Sequence, residues 1–198
     1  SLRLVTALMI PSAIFLLVSG PWLGALLYGY GASTFAQGAA LGAIASMFAL
    51  GLPAFSLFYV LLRSYYAQEN TKTPFFINLG FNGLHIAIGF SLFAILPQQF
   101  AVAGLALGYS ISYVITCAFT WFRVGKRVPA LQNNGHLRLL IRVSVAALLA
   151  GTVSYLLVRL TIVNQSAISA PRLGLAITSF AASFTVLYLL LAKLFRIS

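Results

Sequence analysis

Twelve Lys and Arg, two His, one Cys and a single acid, Glu69, are the residues from which this chain could build ionic or covalent chemistry. General acid–base work on paired carboxylates needs two acids, and a Ser/His/Asp arrangement needs an acid or amide to orient the His. Neither can be assembled here. Cys117 lies inside an apolar block, where it allows no intrachain disulfide and no Cys-based metal site. Its expected role is packing. No Walker-type glycine loop is present, so this segment is not expected to draw on ATP directly. The residues point to no enzyme, no metal and no cofactor. His85 falls near the middle of an apolar block, a depth at which an ionisable side chain is a functional candidate by default. The cheaper arrangement is a neutral imidazole bonded to a helix carbonyl or to Asn82, and that is the expectation taken here.

The elements that must position these groups are apolar. Hydrophobic residues make up 61% of the chain and charged ones 7%, with a mean hydropathy of +1.01. A soluble domain carries roughly 25% charged residues, so this composition cannot cover a water-facing surface. The apolar residues fall into six blocks, about 4–28, 37–66, 75–96, 101–122, 139–160 and 173–195, each near the 20 or so residues that a membrane-crossing helix needs. The expected fold is all-α, a polytopic bundle of about six membrane-spanning helices forming one transmembrane domain over 1–198. Pro11 and the Gly20-Pro21 pair predict a kink or break in the first block, and Pro53 predicts a tilt or kink in the over-long second one.

Charge sets the orientation. With the N-terminus inside, the cytoplasmic segments hold Arg3, Arg63, Lys72, Arg123, Lys126, Arg127, Arg138, Arg142, Lys193 and Arg196, and the outer loops hold Arg159 and Arg172. That bias follows the positive-inside rule and places both termini in the cytoplasm. The net charge of +11 therefore reads as topology and contact with anionic membrane lipids, not as nucleic-acid binding. The basic run of Arg123, Lys126, Arg127, Arg138 and Arg142 gives candidate lipid-headgroup contacts. Small residues four apart, Gly38, Gly42 and Ser46 in the second block and Gly104, Gly108 and Ser112 in the fourth, predict close helix packing within the bundle. Trp22, Tyr28, Tyr30, Tyr65, Tyr66 and Trp121 near block ends fit interfacial belts. No fixed period marks an internal repeat.

One stretch carries a resemblance. Gly51-Leu52-Pro53-Ala54-Phe55-Ser56-Leu57, followed by Leu62-Arg63-Ser64-Tyr65-Tyr66-Ala67-Gln68-Glu69-Asn70-Thr71-Lys72-Thr73-Pro74, resembles the GLPAF…LLRxFYAxxDTxTP segment of the MurJ/MviN family of lipid II flippases, within the multidrug/oligosaccharidyl-lipid/polysaccharide exporter superfamily. Upstream, Leu26-Leu27-Tyr28-Gly29-Tyr30-Gly31-Ala32 resembles that family's LLFGxGAF turn. Asn70 stands where Asp is common and Tyr65 where Phe is common. The sharp motifs cover only about 26–74. The resemblance implies the C-terminal half of a transporter of the inner (plasma) membrane, one that works with the N-terminal half of the same polypeptide. It would move undecaprenyl-linked lipid II between leaflets by alternating access, for peptidoglycan and cell-wall biogenesis. The family's essential cavity arginines lie mainly in the other half and map to no residue here. Its polyprenyl-tail groove would map to 139–160 and 173–195. Arg63 and Lys72, near the cytoplasmic end of the second block, are the candidate substrate contacts. Their ordinary alternative is anchoring to phospholipid phosphates, or for Arg63 a pairing with Glu69. Competing readings are another exporter of the superfamily, for O-antigen or for drugs and cations, and a non-transporting membrane scaffold.

Overall fold

The computed structural model describes residues 2–31, 33–126, 135–160 and 170–195. Among them the chain forms seven helices and no strand: α1 Leu2–Tyr28, α2 Phe35–Ala49, α3 Leu52–Tyr66, α4 Lys72–Ile95, α5 Gln98–Gly125, α6 Gly135–Val158 and α7 Ala170–Leu194. Taken together, α2 and α3 form one stretch of 32 residues, so six segments are long and apolar enough to cross a bilayer.

α1 is the hub, packed on α2, α3, α6 and α7. Its closest partner is α2, because the two backbones meet through glycine. A Cβ added at Gly24 would strike the backbone of Gly38 and Gly42, and one at Gly42 would strike that of Gly20. Ser46 completes the seam, donating its hydroxyl to the Leu16 carbonyl at 3.1 Å and to its own Gly42 carbonyl at 3.1 Å. The stripe on α5 works less tightly, with Gly104 and Gly108 seated against Leu92, Leu96 and Ile88 of α4. Both stripes serve packing inside the bundle. The aromatic belt needs one correction: Tyr65 is only 2% exposed and belongs to the core of α3 and α5, whereas Tyr28, Tyr30 and Tyr66 are exposed near helix ends.

The prolines behave differently from one another. α1 runs unbroken through Pro11 and Pro21, so of the kink or break expected near Gly20 the break does not occur. Pro11 has no N–H to give the Ala7 carbonyl four residues back. The Tyr188 hydroxyl of α7 donates to that carbonyl instead, at 2.8 Å. The long second block does break, between α2 and α3, with Pro53 in the first turn of α3. There the Gly51 N–H turns to Phe48 (3.0 Å) rather than to Met47. The Ser110 hydroxyl of α5 takes the Met47 carbonyl at 2.6 Å. Gly51 is required at this point, since a Cβ would lie 2.8 Å from both the Cα and the Oγ of Ser110.

One end of the bundle collects several helix termini. The Arg3 guanidinium lies beside Gly135, Trp121 meets His136 edge to face at 6.0 Å, and Arg142 donates to the Phe195 carbonyl at 3.3 Å. Tyr65, Val124, Leu2 and Leu140 share a hydrophobic cluster there. Arg3, Arg63, Arg123, Lys126, Arg138, Arg142 and Lys193 therefore gather towards a common end. A second cluster, around Phe180 and Phe184 with Phe15 of α1, fixes α7.

Replacing Tyr188 by Phe leaves the Ala7 carbonyl unpaired and is expected to lower stability by about 1–3 kcal/mol. In a Pro11→Ala background the restored N–H occupies that carbonyl, and the same replacement is expected to cost less than half as much. Denaturant unfolding of the four proteins in this cycle measures the coupling. A coupling near zero would refute the repair.

Candidate functional site

α5 packs on both α3 and α4, while α3 and α4 touch each other only sparsely. The space between the two, over α5, is therefore the candidate cleft. Residues three and four apart share a helix face, and the faces bordering this cleft are polar. On α3 they are Ser56, Tyr59, Arg63 and Tyr66, of which Tyr59, Arg63 and Tyr66 are exposed. On α4 the edge carries Asn78, Asn82 and His85. The floor is aromatic: Tyr113 lies 5.1 Å from Phe55 and 4.3 Å from Phe81, and the Tyr109 and Tyr113 hydroxyls are 3.3 Å apart.

His85 sits at the wall of this cleft. Its ring lies parallel to Phe81 at 6.1 Å and edge-on to Tyr109 at 5.1 Å. Nδ1 makes neither of the expected bonds, to a helix carbonyl or to Asn82; Asn82 donates to the Asn78 carbonyl and Asn78 to the Pro74 carbonyl. Nδ1 of His85 is buried and bonded to nothing in the structure. A buried ring nitrogen left this way costs about 1–3 kcal/mol. The spacing 78, 82, 85 was visible in the sequence, but only the tertiary placement of Tyr59, Tyr109 and Tyr113 turns it into a wall.

The turn between α3 and α4 is built by its polar residues. Glu69 adopts φ 55°, the left-handed region that ends helices, and the Asn70 N–H returns to the Tyr65 carbonyl at 3.1 Å. Asn70 caps α4: its side-chain oxygen accepts the Thr73 N–H at 3.1 Å and its amide donates to the Thr73 hydroxyl at 3.0 Å. An Asp would accept the same N–H and could receive the Thr73 proton in turn. That is why the Asn changes the local motif so little.

This turn separates the two candidate substrate contacts. Arg63 is exposed in the last turn of α3, facing the cleft side, and Lys72 is exposed as the first residue of α4. Arg123, in the last turn of α5, holds its guanidinium 5.5 Å above the Phe119 ring. Lys126 caps α5 and is exposed; Arg138 and Arg142 are exposed near the start of α6. Arg127 lies outside the described residues. The structure thus brings these cations to one end without joining them into a single site. Among the described residues, no cluster of His, Cys, Asp and Glu could hold a metal ion.

Comparison with known proteins gives a consistent picture. The family model described as "Lipid II flippase MurJ" matches residues 1–176. A probable lipid II flippase MurJ of Thermotoga maritima is 35% identical over 150 residues, covering 76% of this chain and 29% of the relative. Proteins of the same description from Rhizobium tropici and Rhizobium meliloti are each 28% identical, over 69% and 71% of this chain and 24% and 27% of their own lengths. The chain spans about a quarter of the length of these relatives.

In a Cys117→Ser background, single cysteines replacing Tyr59 or Asn82 are expected to react with a hydrophilic maleimide far faster than cysteines replacing Phe58 or Leu62, which are 0% and 1% exposed. Equal rates at all four positions would show that the cleft holds no water.

Proposed function

This chain belongs to the lipid II flippase MurJ family, and on that premise we propose that it forms part of a flippase that carries lipid-linked peptidoglycan precursor across the cytoplasmic membrane by alternating access. The observation that carries the reading is the cleft bordered by Tyr59, Arg63, Asn82 and His85 within a chain otherwise apolar on its outside. A diphosphate headgroup needs fixed cations and hydrogen-bonding groups in a wet recess, while its polyprenyl tail remains in hydrocarbon. A dry scaffold would have no use for an exposed Asn82 beside an ionisable His85 at that depth.

In this reading the cation-rich end faces the cytoplasm, so both described chain ends lie on that side, as the positive-inside rule requires. Arg63 meets the headgroup at the mouth of the cleft, where a guanidinium bonds phosphate through two parallel N–H groups. Lys72 contributes attraction as a point charge. Arg127, Arg138, Arg142 and Lys126 meet inner-leaflet phosphates and hold the bundle at its depth. The exposed apolar sides of α6 and α7, including Leu148, Leu156 and Leu189, offer the polyprenyl tail a surface like the lipid around it. The remaining pathway residues come from the N-terminal half of the transporter, and the cycle includes no covalent step.

Translocation of lipid II in proteoliposomes, paired with rescue of cells depleted of their own flippase, tests this. Arg63→Ala in the full-length protein is expected to slow translocation by roughly tenfold or more, the worth of one charge-assisted bond, with Arg63→Lys recovering part of the loss. Lys72→Ala is expected to have a smaller effect. Wild-type rates in Arg63→Ala would remove Arg63 from the pathway.

A further inference from the structure

A groove of about 640 Å³ runs along the α4–α5 seam, sharing the Phe81 ring with the floor of the polar cleft. Its walls are mainly apolar: Phe76, Ile77, Gly80, Phe81 and Leu84 from α4, with Ile115 and Phe119 from α5 beside the one hydroxyl-bearing wall residue, Thr116. Its chemistry changes at one end. There stand Thr73, in the first turn of α4, and Arg123, in the last turn of α5. The mouth is cationic and the rest is oily.

The size of the groove selects its occupant. From Thr73 to Leu84 a helix rising 1.5 Å per residue covers roughly 16 Å, which leaves a mean cross-section of about 40 Å². A helix with side chains, about 10 Å across, covers about twice that area. An extended hydrocarbon chain fits within it. Arg123 is already turned towards the groove by Phe119, whose ring lies beneath the guanidinium at 5.5 Å and leaves the N–H edge available to an anion.

The geometry points to a binding site for an anionic glycerophospholipid, with one acyl chain along the α4–α5 groove and its phosphate on Arg123 at the cytoplasmic mouth. The site adjoins the cleft at Phe81 but takes none of its polar residues, and its sidedness rests on the orientation proposed above. Basic pockets between membrane helices on that face are the places where anionic headgroups dock.

Gly80 and Gly83 make the site testable, because a Cβ at either meets nothing within 4 Å while only Gly80 lines the groove. Native mass spectrometry of the full-length protein in detergent, titrated with phosphatidylglycerol, is expected to show one lipid retained per protein and little retention of phosphatidylcholine. Arg123→Gln is expected to weaken retention about fivefold, the worth of one cation at the membrane surface. Gly80→Leu is expected to abolish it by filling the groove, and Gly83→Leu to leave it unchanged. Each of three outcomes would overturn the site: no lipid retained by the wild type, as when another helix covers the groove; equal retention by wild type, Arg123→Gln and Gly80→Leu; or displacement of phosphatidylglycerol by undecaprenyl phosphate at equal concentration. Lipid II translocation in Arg63→Ala is read separately, so failure of the cleft assignment leaves this result standing.

Discussion

Hydrocarbon offers no hydrogen bonds, so every main-chain carbonyl released from a helix ladder must find a donor within the protein. The architecture is organised around that constraint. Pro11 frees the Ala7 carbonyl, and Tyr188 arrives from the last helix to take it. The interruption between α2 and α3 frees the Met47 carbonyl, and Ser110 of α5 takes that one. Each repair is also a tether. The first fastens α7 to α1, and the second fastens the broken segment to α5. Helix-breaking residues that would weaken a soluble bundle here specify which helices must be neighbours.

Glycine provides the complementary device. Association in lipid gains little from the hydrophobic effect, so backbones must approach closely enough for dispersion to hold them. The α1–α2 seam does this through Gly20, Gly24, Gly38 and Gly42, leaving no room for a methyl group. Gly80 and Gly83 of α4 have open space beside them. The same residue type marks a closed seam in one place and an unfilled surface in the other, and the difference is set by the neighbouring helix.

Much of this was legible in the residues. Block length and apolarity gave the six crossings, Pro53 marked the bend in the second, and the small-residue spacing at 38, 42 and 46 marked the seam. What was not legible depended on distant partners. Nothing local to Pro11 shows that a Tyr 181 positions from Ala7 will satisfy the freed carbonyl, and the kink or break expected near Gly20 falls where the helix is continuous. Tyr65 read as a belt residue because it lies near a block end, yet α5 covers it. His85 read as bonded to a helix carbonyl or to Asn82. The amide instead prefers the Asn78 carbonyl one turn back, and the imidazole is left facing Tyr109.

The gathering of Arg3, Arg63, Arg123, Lys126, Arg138, Arg142 and Lys193 at one end has an electrical consequence. An energised membrane is negative inside, and each elementary charge moved across it works against about 2.3 kcal/mol per 100 mV. Dragging even three of these side chains to the opposite surface would require roughly 7 kcal/mol at that voltage, comparable to the whole folding stability of an ordinary domain. In the proposed orientation, with that end in the cytoplasm, the resting potential acts as a latch on the insertion of this bundle, and the scarcity of acids keeps that latch from being neutralised.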